Sequence, residues 1–470
     1  LFRHVFVKVQ IVGKMIRHWI LKQEHSIRIK EVVQYTQAGI SSHAKWITNF
    51  HRRKTMKRIL PILLILSLLI VGFSVSAAQL ECTDEIGCVE IGPDDPITIG
   101  YMLTISGATS SLGLDSVGGI EIAIEQRDGM LLDHEIELVG EDSLCNAEGG
   151  QTAAQNLAAN EQILGIIGSS CSSEAAAGLP IISAAGMLMI SPSNTAPSLT
   201  NPDTASGGLW QPGYYRTAHN DLFQGAVAAE YAYNELGLRA LATIHDGSPY
   251  AEGLQAVMAE VFAELGGEVV FQGAVNVGDT DMSAILTEIA AAGADIIYFP
   301  IFEPEGDFIA AQSVDIPGLE DVTLMSADGM FADTFPEATG EAAIGMYLSG
   351  PYVSGDAYAE FLEAWEEVVG GVPPSGFHAH AYDAANILLN AIEEVAQVGD
   401  DGTILVGRQA LRDAITGLTD FPGLTGNLSC NETGDCATGE ALGIFQITEA
   451  ELEGAWPPAA IWTPGMAAEE

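Results

Sequence analysis

From Ile97 onward, short apolar-rich runs alternate with longer stretches whose apolar positions recur every three or four residues. The runs Ile97–Leu103, Glu135–Val139, Ile163–Ile167, Met187–Ser191, Ala240–His245, Glu268–Gln272, Asp295–Pro300 and Val322–Ser326 predict strands. The intervening Gly118–Gln126, Gln151–Ala159, Leu222–Leu236, Glu252–Leu265 and Asp281–Ala292 predict amphipathic helices. Apolar strands bridged by helices imply parallel sheets covered on both faces, an α/β architecture. The 392 residues after Ala78 exceed one comfortable core, so two such lobes are expected. No internal repeat or long low-complexity linker interrupts them. In open parallel sheets ligands sit beyond the carboxyl ends of the strands, and there the Ser, Gly, Asn and Asp residues of this chain collect.

The charge pattern divides the chain. Thirteen of its 18 Lys and Arg fall in residues 1–58. After Ala78 there are five Arg (127, 216, 239, 408 and 412), no Lys and 61 carboxylates, a formal charge of −56. At the break stand Met56-Lys57-Arg58, the 15-residue apolar run Ile59–Phe73, and Val75-Ser76-Ala77-Ala78. A basic start, a short apolar core and small residues at its end make a secretory signal peptide at 56–78, cut after Ala77 or Ala78. The run is short for a membrane span, which needs about 20 apolar residues; if uncleaved, it would serve as an anchor. Cys82 follows Gln79-Leu80-Glu81 rather than small residues, which argues against a lipoprotein. Residues 1–55 read as upstream sequence outside the true product. The expected location is periplasmic or extracellular.

Export changes the reading of the cysteines. All six lie after the leader, as Cys82/Cys88, Cys145/Cys171 and Cys430/Cys436, and an even count in an exported chain reads as disulfides. The first pair clips the segment 79–95, and the last closes a hairpin tip. No Cys/His spacing suits a metal, and no acidic run fits a calcium loop. The net negative surface repels nucleic acid and anionic membranes, so neither is an expected partner.

Three loops carry candidate chemistry. They are Ser106–Gly113 after the first strand, Gly168-Ser169-Ser170-Cys171-Ser172-Ser173-Glu174 after the third, and Ser191-Pro192-Ser193-Asn194-Thr195-Ala196-Pro197 after the fourth. Small hydroxyl residues at a helix start present backbone N–H groups and the positive end of the helix dipole, which suit a carboxylate. Each loop alone is weak, because Ser at a helix start is more often an ordinary N-cap.

Taken together with Asp142–Cys145, Arg216-Thr217-Ala218, Ile244–Leu254, Asp281-Met282-Ser283 and Tyr298–Gly306, these loops resemble the branched-chain amino acid-binding proteins of ABC importers. The likeness runs from about Pro96 to Ala450. It implies the type I periplasmic binding fold, two Rossmann-like lobes with parallel sheets joined by a three-strand hinge, and it supports the Cys145–Cys171 bridge. The implied lobes are 96–218 with 352–447, and 219–351 with 448–470. Crossings would fall near Ala218–Asp221, Pro351–Tyr352 and Thr448. By the same resemblance, Ser172 binds the ligand carboxylate through its hydroxyl and backbone N–H. The backbone of Ser193 and the side chain of Thr195 complete the first-lobe site. Tyr250 and Phe302 close over the ligand, Asp328 takes the ammonium, and Leu112 lines the side-chain pocket. Asp328 stands where the family commonly has Glu, Phe302 where Tyr is common, Ser193 where Ala is common, and Leu112 where an aromatic is common. These departures leave the identity of the amino acid open. The implied partners are a small-molecule ligand and a membrane permease; the implied state is a monomer without cofactor.

Other readings have less behind them. Tyr250 and Phe302 are also plain core aromatics, and Asp328 before Gly329 is also a turn residue. His378-Ala379-His380, with no third partner, reads as a strand edge or helix start rather than a metal site. The chain has no G-x-S-x-G elbow, H-E-x-x-H, Walker loop or strand-borne G-x-G-x-x-G, which argues against an enzyme. A sensory module that binds the same ligands and works with a separate membrane receptor is the alternative function.

Overall fold

In the computed structural model, residues 80–439 and 441–464 are described. Residues 1–55, the leader at 56–78 and the last part of the segment 448–470 lie outside the described residues. The apolar runs become two sheets because each central strand is covered on both faces; Ile163–Gly168 is buried at every position. Edge strands such as His134–Asp142 and Glu268–Ala274 mix buried or half-buried positions with exposed ones instead.

The first sheet runs in the order Met130–Leu131, His134–Asp142, Ile97–Leu103, Ile163–Gly168, Met189–Ser191, Tyr214–Arg216. All its pairings are parallel except the short Met130–Leu131 edge. The second runs Glu268–Ala274, Ala240–His245, Ile296–Tyr298, Thr323–Ser326, Tyr347–Pro351, Leu442–Gln446, Ala460–Trp462. Its last two strands are antiparallel additions. Ignoring those edges, both lobes follow the doubly wound order 2-1-3-4-5. Each therefore opens a crevice between its first and third strands, where the order reverses.

Ile97–Leu103 and Ala240–His245 form with the predicted bounds. The first helix differs: it starts at Ser110 and runs to Glu125, through residues the sequence pattern places in a loop. Gly113 permits this, because a Cβ there would lie 1.8 Å from the Thr104 carbonyl oxygen. Gly119 does the same on another face, where a Cβ would meet the His378 carbonyl oxygen at 2.2 Å. The pattern hides these turns because glycine lowers helix propensity while close packing demands it. The segment 79–95 is no separate appendage: Cys88–Ile91 pairs antiparallel with Ile404–Gly407, and Val89 and Ile91 share the first-lobe core with Ile97 and Ile99.

The chain leaves the first sheet after Tyr214–Arg216 and the second after Tyr347–Pro351. A third passage near Thr448 does not fit the strand pairing. Leu442–Gln446 already pairs with Tyr347–Pro351 in the second sheet, whereas Asp435 bridges Arg216 in the first. The crossing therefore falls between Cys436 and Leu442 rather than near Thr448; the strand is apolar and buried, and an apolar run shows no pairing partner in sequence. All three cysteine pairs are bonded as expected. His378 opens the helix His378–Val395. Among the described residues, no helix is long and apolar enough to cross a membrane.

Candidate functional site

Both crevices face one small cavity. It is lined by Leu112, Ser170, Ser172, Ser193 and Phe377 from the first lobe and by Tyr250, Phe302 and Asp328 from the second. Its volume is about 10 Å³, room for roughly one water. Outside it lies a wider cleft of about 530 Å³ between Ser106–Thr109 and Cys145 on one side and Ser248 and Glu303 on the other. Phe302 lines both spaces.

On the first-lobe side, Ser172 begins the helix Ser172–Ala184, whose leading N–H groups have no partner within the helix. Glu174 organises this end. Its carboxylate accepts from the Cys171 N–H at 2.8 Å, the Cys145 N–H at 2.6 Å and the Thr104 hydroxyl at 2.5 Å. Burial pushes its pKa up, and these donors pull against that. The Cys145–Cys171 bond joins the same two loops. The Ser172 hydroxyl accepts from the Ala196 N–H at 3.3 Å, tying the third-strand loop to the fourth.

Ser193 lines the cavity, but its N–H donates to Ser191 Oγ at 3.2 Å and its hydroxyl to the Ser170 carbonyl at 3.1 Å. Its N–H and hydroxyl are thus engaged within the first lobe. Thr195 is fully buried and is not among the cavity's lining residues. Its carbonyl accepts from the Asp221 N–H at 3.0 Å, and its hydroxyl has no hydrogen-bond partner of good geometry.

On the second-lobe side, Asp328 Oδ1 accepts from Gln224 Nε2 at 2.6 Å and from the Tyr250 hydroxyl at 3.0 Å. The same phenol oxygen accepts from the Gly329 N–H at 3.1 Å. The rings of Tyr250 and Phe302 pack with centroids 5.0 Å apart. Leu112, Phe377 and Phe302 join the disulfide in one apolar cluster, the cavity's dry wall.

The structure adds residues that sequence reasoning did not assign to the site. Phe377 comes from a loop more than 150 residues beyond the other first-lobe positions, which leaves no local signal. Asp115 fixes that loop, accepting from the N–H groups of Ser375 at 3.1 Å and Phe377 at 2.7 Å. His378 spans Asp115 and Tyr358, at 3.0 and 2.7 Å, so its ring nitrogens are occupied by hydrogen bonds. Asp221 and His219 lie on the first crossing, read from sequence only as hinge. Asp221 is fully buried, and neither carboxylate oxygen has a hydrogen-bond partner of good geometry. Burial raises its pKa well above the usual range, and the neighbouring charge of Asp328 adds to the shift. Burial raises Asp328 too, against the pull of Gln224 and Tyr250. His219 donates from Nε2 to Gln224 Oε1, and burial lowers its pKa to about 4, which keeps the ring neutral. Two carboxylates beside hydroxyls, a helix start and an apolar wall suit a small zwitterion with an apolar side chain.

The chain is similar in sequence and fold to known proteins. The "Leu/Ile/Val-binding protein homolog 1" of Brucella abortus is 27% identical over 343 residues, which cover 72% of this chain and 87% of that protein. The crystal structure of a leucine-binding protein from Thermotoga maritima superposes with a TM-score of 0.65 at 27% identity, covering 75% of this chain and 95% of that one. A solute-binding protein of an ABC transporter from R. palustris, in complex with benzoate, shares the fold at 19% identity and a TM-score of 0.65, covering 78% and 96% of the two chains. A family model for periplasmic binding proteins matches residues 96–450. Lobes, crevice and matched span agree: the chain belongs to the periplasmic binding protein family of non-enzymatic ligand binders.

Proposed function

We propose that this protein is the extracytoplasmic solute-binding subunit of an ABC importer and captures a small amino acid, branched-chain or related, between its two lobes. The observation that carries the reading is the single cavity to which the helix start at Ser172 and the buried carboxylate of Asp328 both contribute, from opposite lobes. An α-amino acid places a carboxylate and an ammonium on one carbon, so its binder needs donors and an anion close together. Ser172 supplies donors to the carboxylate. The Ser193 carbonyl, an acceptor in the same lobe, takes a hydrogen bond from the ammonium, and Thr195 acts from behind the wall through Asp221. Asp328, supported by Asp221, takes the ammonium. Leu112, Phe302 and Phe377 enclose an aliphatic side chain, and Tyr250 holds Asp328 in place.

The cavity admits about one water, so entry requires the lobes to part at the three crossings, and closure desolvates the ligand. Its charges must then meet fixed partners. The closed form would dock, as a monomer, on a membrane permease. The names of the B. abortus and T. maritima relatives support the ligand class. Benzoate, held by the R. palustris protein, lacks an ammonium and leaves the buried carboxylates without a partner.

Thermal shift of the exported chain, against aliphatic amino acids, polar amino acids, short amides, urea and benzoate, tests this. A true ligand raises the melting temperature with the logarithm of its concentration over Kd. Stabilisation by benzoate or an amide and by no amino acid would remove Asp328 from its role.

A further inference from the structure

The first crossing holds more ligating capacity than an ammonium uses. We propose that His219, Asp221 and Asp328 form a site for a divalent transition-metal ion of the zinc type, in competition with the amino acid. One ligand atom from each residue lies within 4.8 Å of the others. All three side chains are buried, at 2%, 0% and 3% exposure. Neither oxygen of Asp221 nor Nδ1 of His219 has a hydrogen-bond partner of good geometry, although the Thr195 hydroxyl lies close enough to act on Asp221; such buried polar atoms are costly, and a metal would relieve them.

The tautomer fits. His219 Nε2 donates to Gln224 Oε1, which leaves Nδ1 as a bare lone pair and fixes the ring as outer partners of metal-bound histidines do. Of the other buried histidines, His380 also has an unpartnered Nδ1 but does not join the carboxylate cluster, and two are already engaged. His134 contacts the carbonyls of Asp95 and Gly402 through both nitrogens, and His378 is held by Asp115 and Tyr358. Arg216 is near enough for its charge to act on Asp221, but its hydrogen bonds go to Asp435, Thr200 and the carbonyls of Asn194 and Ala196 and none to the cluster.

The donor set selects the ion. Mg²⁺ and Ca²⁺ take oxygen ligands, whereas an imidazole nitrogen with carboxylates suits Zn²⁺ and its neighbours. Ligands at about 2.0–2.1 Å around tetrahedral zinc stand roughly 3.3 Å apart, within reach of small side-chain adjustments here. Three protein ligands leave one position for water. Because Asp328 belongs to both uses, metal and amino acid exclude one another.

Calorimetric titration of chelator-treated, full-length exported protein with zinc chloride, without any amino acid, tests the site independently of the transport reading. The expected result is a single equivalent bound, no comparable heat from magnesium chloride, and a zinc affinity that falls as isoleucine is added. His219→Ala and Asp221→Asn should each weaken zinc binding by roughly tenfold or more. Asp221→Asn is close to isosteric and serves if His219→Ala does not fold. Failure of the parent protein to bind zinc, or unchanged zinc affinity in the folded variants, overturns the proposal. Failure of isoleucine to bind, with zinc still bound, would instead strike the amino-acid reading alone.

Discussion

Asp221, on the first passage between lobes, and Asp328, at the end of a second-lobe strand, bring two buried carboxylates to within 4.8 Å of each other. Only Asp328 is steadied by side-chain donors, Gln224 and Tyr250. Burial and their mutual repulsion favour the neutral forms of the pair, so a cation reaching the back of the cavity would be needed to hold both as carboxylates.

Removing the charge from Asp328 should therefore cost more than trimming a hydroxyl across the cavity. Asp328→Asn keeps the shape and leaves the ammonium facing a weaker partner. The expected loss is about 3–5 kcal/mol, or two to three decades in Kd at about 1.4 kcal/mol per decade. Ser172→Ala should cost about 1–3 kcal/mol, since backbone N–H groups at the helix start persist. Calorimetry on both variants with the ligand found by screening decides. Tight binding by Asp328→Asn would mean the ammonium sits elsewhere.

The middle disulfide should matter most for stability. Cys145 and Cys171 are 26 residues apart, against six for each of the other pairs. Chain entropy assigns it about 3 kcal/mol and the short loops about 2 kcal/mol each. Its loss also frees two loops that Glu174 gathers at the ligand site. The double variant Cys145→Ala/Cys171→Ala should unfold at lower denaturant and bind ligand more weakly. An unchanged denaturation midpoint would contradict this.

A pH dependence follows from Asp307, buried near the cleft with one oxygen unpartnered. Burial, then the charges of Glu303 and Glu305, push its pKa up to about 8, far above the ordinary value near 3.9. The folded state thus holds this proton more tightly than the unfolded chain does. Stability should fall as pH rises from about 4 to about 8 and level off beyond. Glu303, raised to about 7 mainly by burial, adds in the same direction. Asp307→Asn should melt a few degrees higher than the parent above pH 8, and the gap should close near pH 5. Melting curves that stay parallel from pH 5 to 9 would refute the assignment.

Much of this molecule was legible in its residues. Apolar runs such as Ile97–Leu103 and Ile163–Gly168 declare buried parallel strands, because a strand covered on both faces has no polar side to show. Ser172 and Asp328 stand at strand or helix ends, where the fold class already places ligands. The pairing Cys145–Cys171 could be read from compartment, count and resemblance. Contacts between distant segments could not. Leu442–Gln446 looks like any apolar strand until it pairs with Tyr347–Pro351, and that pairing moves the third crossing. Ser110–Gly113 looks like a loop until Thr104 requires a glycine against it. Asp221, His219 and Phe377 carry no local signature of a site. Burial and proximity give them their chemistry: a carboxylate in water is ordinary, but one held dry beside another must find a proton, an ammonium or a metal. Residue pattern is enough to declare the elements, the covalent clips and the kind of crevice; which side chains share that crevice depends on long-range packing.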